Sequence, residues 1–145
     1  MADHSSMVDH GHMASLLDTD LDIADAFEIV VTTPASGSYW MAHDVACVTV
    51  CSVTVTDGVA IGVAGTALSL RGKSRQGDHP DVYAVSAEYG GTYTGGTVIL
   101  SRAERSGEAG ADPILMKPST SYLITVTSKA DNNYASCVVH VWKEG

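Results

Sequence analysis

Residues 45–55 read VACVTVCSVTV, and this stretch decides the class of fold. It contains five valines and two threonines, residue types that favour strands because their branched side chains fit a pleated surface. Asp57-Gly58 follows, a dipeptide typical of tight hairpin turns. Because apolar residues occupy both parities over part of the run, we expect one long central strand that is covered on both sides.

The remainder of the chain after residue 26 shows the same strand character. Residues 121–128 alternate, and in the last strand Cys137, Val139 and Val141 face opposite to Val138, His140 and Trp142. Turns rich in glycine, proline and asparagine separate about eight or nine such strands. The pattern predicts an all-β domain over residues 26–145, an antiparallel β-sandwich or jelly roll.

Residues 1–25 differ in composition from the rest of the chain. They contain six of the 17 acidic residues and three of the six histidines, but no lysine or arginine. We expect an extended acidic N-terminal arm over residues 1–25, with little core of its own, that becomes ordered on a partner. The spacing of Leu17, Leu21 and Ala24 also permits a short helix over residues 15–26.

The charge balance excludes two classes of partner. The net charge is −9, and residues 1–70 contain nine acidic residues and no lysine or arginine. Nucleic-acid binding needs cations that displace phosphate counterions, and anionic membranes attract basic segments. We therefore expect neither nucleic acid nor membrane as a partner.

Three cysteines, Cys47, Cys51 and Cys137, do not form an even disulfide framework. On a single strand Cys47 and Cys51 would face the same side, about 13 Å apart at strand rise, which is too far for a bridge. We expect three buried free thiols in a reducing compartment.

The motifs of common catalytic, cofactor and metal sites are incomplete in this sequence. There is no Gly-x-Ser-x-Gly segment, and Gly72-Lys73-Ser74 lacks the required preceding glycine, because position 67 is Ala67. His4, His10 and His12 would give only weak, unselective metal affinity. We expect His43 and His140 to be hydrogen-bonded structural histidines. The adjacent pairs His43-Asp44 and Asp78-His79 would face opposite ways on a strand and so could not form a catalytic relay. We expect no catalytic, cofactor-binding or metal-binding residues, no cofactor and no enzymatic activity.

The C-terminal third contains an ordered set of segments. GGTVILSR at residues 95–102 precedes LMKPSTSYLITVTS at residues 115–128, then Asn132-Asn133, and VWKE at residues 141–144. This order resembles the capsid cement or decoration proteins of tailed bacteriophages, which are small β-sandwich virion proteins. The resemblance covers about 50 residues reasonably well and the remainder only in general layout, and it implies no catalytic residue.

This resemblance implies a non-enzymatic structural role. A member of this family would bind the outer surface of an icosahedral phage head and cement neighbouring subunits of the major capsid protein. It would also bind itself as a homodimer or homotrimer at a capsid symmetry axis. Its location would be the outer capsid surface of the virion, after synthesis in the cytoplasm of the host bacterium.

Two other classes of function remain open from the residues. Tyr39-Trp40 and the tyrosines near glycine turns, Tyr83, Tyr89 and Tyr93, could form an aromatic sugar platform. That arrangement would fit a receptor- or carbohydrate-binding module of a phage tail or fibre. A small β-fold enzyme is the third class, and it lacks a recognisable set of catalytic residues.

Overall fold

The computed structural model describes residues 12–72, 84–104, 107–110 and 113–143. Within these ranges the chain forms fourteen strands and no helix. In chain order the strands are β1 (His12–Leu21), β2 (Ala26–Thr32), β3 (Tyr39–Cys47), β4 (Cys51–Asp57), β5 (Ala60–Val63), β6 (Thr66–Leu68), β7 (Arg71–Gly72), β8 (Ser86–Tyr89), β9 (Thr92–Thr94), β10 (Thr97–Glu104), β11 (Gly107–Gly110), β12 (Ile114–Met116), β13 (Ser121–Ser128) and β14 (Asn133–Lys143).

Two antiparallel sheets of six described strands each build the body. Sheet A has the order β11-β3-β14-β1-β7, with β12 also paired to β3, and sheet B has the order β10-β4-β13-β2-β8-β6. Strands β5 and β9 form a separate two-stranded ribbon. The buried faces of both sheets share one core, so the predicted antiparallel β-sandwich is confirmed.

Alternation along the strands explains how the core is filled. Every second residue of β3 and β4 is buried, and β14 alternates in the same way until Trp142. Val45, Val55 and Val139 are fully buried examples. Burial of such side chains stabilises the fold by about 1.5–3 kcal/mol each, before entropy costs are counted.

Residues 45–55 form parts of two strands in opposite sheets. β3 ends at Cys47 and β4 begins at Cys51, so the chain crosses from sheet A to sheet B between them. Odd-numbered residues face the core in both strands, whereas Val48 is exposed at the crossing and Val50 is half-buried. This corner is the reason that apolar residues occupy both parities. The prediction of one long strand covered on both sides is therefore wrong.

Residues 12–21 belong to sheet A and are not an arm. β1 pairs with β14, with Ala14 opposite Val139 and Leu16 opposite Cys137. Ala14 and Leu21 are buried in the common core. The possible helix over residues 15–26 is also absent, because pairing with the final strand supplies contacts that local spacing does not reveal. Residues 1–11 of the expected arm lie outside the described residues.

The β5–β9 ribbon covers part of the outer face of sheet B. Val59 and Tyr93 pack there against Val30 and Leu123. The Tyr93 hydroxyl donates to Glu88 Oε2 at 3.0 Å and accepts from the Gly91 backbone N–H at 3.0 Å. Burial raises the pKa of Tyr93, and the bond to Glu88 acts in the same direction. These contacts attach the ribbon to the sheet.

Candidate binding surface

The outer face of sheet A presents four cross-strand pairs from β3 and β14. We call them the β3–β14 strip, and they are Trp40 with Trp142, Ala42 with His140, Asp44 with Val138, and Ala46 with Ser136. Their side chains point away from the core because their neighbours in sequence are the buried residues of each strand. Met13 from β1 and Leu115 from β12 flank the strip and are exposed. The described face therefore carries several large apolar side chains.

Two tryptophans close one end of the strip. The Trp40 and Trp142 rings are stacked, with centroids 6.4 Å apart and an angle of 10° between the planes. Trp142 is buried and Trp40 is half-buried. Within the described chain neither indole Nε1 has a hydrogen-bond partner. A buried donor without a partner costs free energy, so this end of the sheet is not optimised for stability alone.

A histidine and a carboxylate lie at the centre of the strip. His140 Nε2 and Asp44 Oδ2 are 3.0 Å apart, and they form an ion pair when His140 is protonated. The pair lines a shallow cavity of about 220 Å³ together with Ala46, Ser136 and Val138. Ser136 lies four residues from His140 on β14, about 13 Å at strand rise, so these residues do not form a nucleophilic triad.

A second shallow cavity continues the same face toward β1 and β7. Its volume is about 380 Å³, and it is lined by Met13, Ala14, Ser15, Leu68, Ser69, Arg71 and Val138. Val138 lines both cavities, so they adjoin across β14. A surface with shallow adjoining hollows and exposed apolar side chains fits an extended partner better than a small enclosed ligand.

The aromatic residues proposed for a sugar platform are not brought together. Tyr39 is buried in the core, whereas its neighbour Trp40 points outward from sheet A. Tyr89 and Tyr93 lie on β8 and β9, on the side of sheet B. Tyr83 lies outside the described residues. The three described tyrosines therefore do not form one binding face with Trp40.

His43 and His140, on the adjacent strands β3 and β14, differ completely in environment. His140 has its carboxylate partner, as expected of a structural histidine. His43 is fully buried in the core, and within the described chain neither of its ring nitrogens has a hydrogen-bond partner. Burial, assisted by the charge of Arg102, lowers the pKa of His43 to about 4. His43 is therefore neutral at pH 7, and the expectation that it is hydrogen-bonded is wrong for the described residues.

Cys47 and Cys51 face each other across the corner between the sheets. The Cys47 thiol donates to the Thr49 carbonyl oxygen at 3.2 Å, and the Cys51 thiol is hydrogen-bonded to Cys47. The predicted separation of about 13 Å is wrong because the two residues lie in different sheets. Burial raises the pKa of Cys51 and of Cys137 to about 12, and all three cysteines are buried and outside any disulfide.

We expect these thiols to be unreactive in the folded protein, because the thiolate is the reactive form and burial disfavours it. In the native protein at pH 8, dithiobis-nitrobenzoate should modify none of them within minutes. In denaturant it should modify all three within the mixing time. A native thiol that reacts as fast as free cysteine would contradict the raised pKa of Cys51 and Cys137.

Two further observations concern the described residues only. No group of three or more histidine, cysteine, aspartate or glutamate side chains is placed to hold a metal ion. No helix in the described ranges has the length and apolar character needed to cross a membrane. Candidate histidines His4 and His10 lie outside these ranges, as do Asp78 and His79.

Comparisons with known proteins give remote similarities. No family model and no curated protein matches the sequence. The insecticidal delta-endotoxin Cry8Ea1 from Bacillus thuringiensis aligns over 90% of this chain at 8% identity and a TM-score of 0.44, and the chain spans only 20% of that toxin. A structure of the disulfide-linked pili of Bacillus endospore appendages aligns over 100% of this chain and 98% of the pilus chain, at 8% identity and a TM-score of 0.40. The CBM36-1 domain of a xylanase from the hindgut metagenome of Trinervitermes trinervoides aligns over 94% of this chain and 99% of its own length, at 12% identity and a TM-score of 0.38.

Proposed function

We propose that this protein is a non-enzymatic structural protein that attaches to a larger assembly through the outer face of sheet A. The assembly is the outer surface of an icosahedral phage head, where the protein cements neighbouring subunits of the major capsid protein. The observation that carries this proposal is the β3–β14 strip, where two stacked tryptophans and two adjoining hollows lie beside the exposed Met13 and Leu115.

The outer face of sheet B is lined mainly by hydroxyl side chains. Alternation and register place them there: Ser52, Thr54, Thr56, Ser101, Thr125 and Thr127. The β5–β9 ribbon covers Val30 and Leu123 on this face, whereas Val98 of the edge strand β10, which lies opposite Thr56, remains exposed. Ile61 and Val63 of the ribbon are exposed as well. The outer face of sheet A leaves Met13 and Leu115 exposed beside the stacked tryptophans and the adjoining hollows of the β3–β14 strip. Exposed apolar side chains grouped around such hollows are typical of an interaction surface.

The resemblance to phage cement proteins provides independent support. Its segments correspond to strands β10, β12, β13 and β14 and to the turn before β14. β14 contributes one side of the β3–β14 strip, and β12 contributes Leu115. The segments that resemble the family therefore include residues of the proposed attachment face.

Cementing also explains how shallow contacts could be sufficient. A phage head repeats the same lattice contact many times, and a homodimer or homotrimer at a symmetry axis would engage several subunits together. Linked contacts of this kind raise the overall avidity without stronger individual contacts. The protein would therefore need a rigid exposed face more than a deep pocket.

Cosedimentation with undecorated phage heads tests the proposal. The wild-type protein should sediment with heads, whereas Val138→Glu should reduce its affinity by about tenfold or more, because a charge would be desolvated at the centre of the contact. Thr54→Glu is the matched control on the outer face of sheet B and should bind as the wild type does. Thermal melting establishes that both variants are folded.

Two results would overturn the attachment role. One is failure of the wild-type protein to bind heads at micromolar concentration. The other is unchanged binding by a folded Val138→Glu variant. Retention of the protein by host cells in place of heads would favour the receptor- or carbohydrate-binding alternative.

A further inference from the structure

One end of the sandwich presents three exposed apolar side chains from three different turns. They are Ile23 between β1 and β2, Val48 between β3 and β4, and Tyr134 at the start of β14, with exposed fractions of 62%, 52% and 51%. Three aspartates surround them, Asp22, Asp25 and Asp131, all exposed. We call these six residues the acid-rimmed tip. It continues the β3–β14 strip by one step, beyond Ala46 and Ser136.

Hydrogen bonds join the three turns into one surface. The Val48 backbone N–H donates to the Tyr134 carbonyl oxygen at 3.0 Å. The Ile23 N–H donates to Asp131 Oδ1 at 3.0 Å, and the Asn132 N–H donates to Asp22 Oδ1 at 3.2 Å. The apolar side chains are therefore held in place before any partner arrives, which reduces the entropy cost of binding.

The turn that presents Ile23 has an unusual backbone. Ala24 has a φ of 74°, in the left-handed region that costs a residue with a Cβ about 1–2 kcal/mol. Two backbone bonds hold this conformation, from the Ala24 N–H to the Ser128 carbonyl and from the Asp25 N–H to the Asp22 carbonyl, each 2.9 Å. A strained turn that places an isoleucine in solvent is typical of a surface shaped for contact.

Charge decides which partner fits the tip. The three turns, all within the described chain, contain Asp22, Asp25 and Asp131 but only one base, Lys129. This excess of negative charge repels a second copy of the same tip, nucleic acid and anionic lipid. It attracts a protein surface that places lysine or arginine around an apolar hollow.

We infer that the acid-rimmed tip docks into an apolar pocket flanked by lysine or arginine side chains on a different protein. Ile23, Val48 and Tyr134 would fill the pocket, and the three carboxylates would pair with its basic rim. This inference names the partner chemistry of the attachment face and rests in part on the proposed function.

Two synthetic peptides test the chemistry independently of phage heads. Lys-Lys-Leu-Phe-Leu-Lys-Lys presents the apolar and basic groups together, and Glu-Glu-Leu-Phe-Leu-Glu-Glu is its acidic counterpart. Titrated into the full chain and followed by amide NMR, the basic peptide should shift signals of residues 22–25, 48–50 and 129–134. The acidic peptide should leave them unchanged. Equal shifts from both peptides, or shifts confined to other surfaces, would overturn the inference.

Variants separate the contribution of charge to peptide binding from the contribution of the apolar side chains. The double variant Asp25→Asn with Asp131→Asn removes two charges. Each asparagine keeps a side-chain oxygen that can accept the backbone N–H of Asp22 or of Ile23, as the aspartate does. This double variant should weaken binding of the basic peptide by about fivefold at low salt, with the difference lost at 0.5 M salt. Tyr134→Ser should weaken it at both salt concentrations. Val98→Ser, an exposed apolar change on β10, is the control and should have no effect.

The same variants on undecorated heads separate the two proposals. If wild-type protein binds heads and the tip variants bind equally well, the tip inference is wrong and the attachment role stands. If wild-type protein does not bind heads, the attachment role is wrong, and the peptide titration still decides the tip chemistry.

Discussion

Lowering the pH from 7 to 4 is expected to remove about 3 kcal/mol of folding free energy through His43 alone. The pKa of His43 is about 4 in the folded protein, against 6.5 for an unperturbed histidine. Between these values the unfolded chain binds a proton that the folded protein does not. The stability is therefore complete above pH 6.5 and falls as the pH decreases from 6.5 to 4.

Urea denaturation at pH 7.5, 6, 5 and 4.5 measures this contribution. Carboxylates also titrate near pH 4, so the comparison is with His43→Leu, which has similar volume and no titrating group. That variant should be at least as stable as the wild type at pH 7.5, because it removes an unpaired polar group from the core. It should also lose most of the slope between pH 6.5 and 5. His140→Gln, on the outer face of the same sheet, should retain the slope. A His43→Leu variant with the wild-type slope would show that His43 is not the cause.

Replacing Gly91 with alanine is expected to destabilise the fold by about 2–4 kcal/mol. A Cβ at Gly91 would lie 2.3 Å from the Val63 carbonyl oxygen and 2.8 Å from the Gly65 nitrogen. These are backbone atoms, so relief requires the end of β5 to move away from the start of β9 and distorts the ribbon. Val30 and Leu123 would then lose part of their cover.

The neighbouring glycine provides the control. Gly90 has a φ of 79° but no atom within 4 Å of an added Cβ, so Gly90→Ala should cost only about 1 kcal/mol of backbone strain. Urea denaturation of the two variants measures both costs. Equal losses of stability would show that the close approach of Gly91 to Val63 is not important for the fold.

The sequence predicts the strand faces well and the strand partners poorly. The inward residues of β14, Cys137, Val139 and Val141, are buried as their alternation predicts. Alternation is a local property, so it can be recognised without knowing the partner strand. The corner at residues 48–50 is different, because the pattern of polar and apolar residues does not mark where a chain leaves one sheet for another.

For the candidate surface, too, the directions of the side chains can be predicted from the sequence, whereas the contacts between strands cannot. The outward direction of Val138, His140 and Trp142 can be predicted from the sequence. The pairing of His140 with Asp44 joins residues 96 positions apart, and it depends on the register between β3 and β14. The expectation of an N-terminal arm likewise missed the pairing of β1. Ala14 is buried because β1 pairs with β14, more than 100 positions later in the sequence. Register is a long-range property that single-sequence patterns do not specify.

The pairing of β1 with β14 has a consequence for biosynthesis. The first described strand is second from one edge of sheet A, between β14 and β7. During translation the ladder between β1 and β14 cannot form until residues 133–143 have left the ribosome, more than a hundred residues after β1. Such distant pairing slows folding, since the loop entropy is lost before the contacts are gained. The nascent chain is therefore most exposed to misassembly just before β14 emerges.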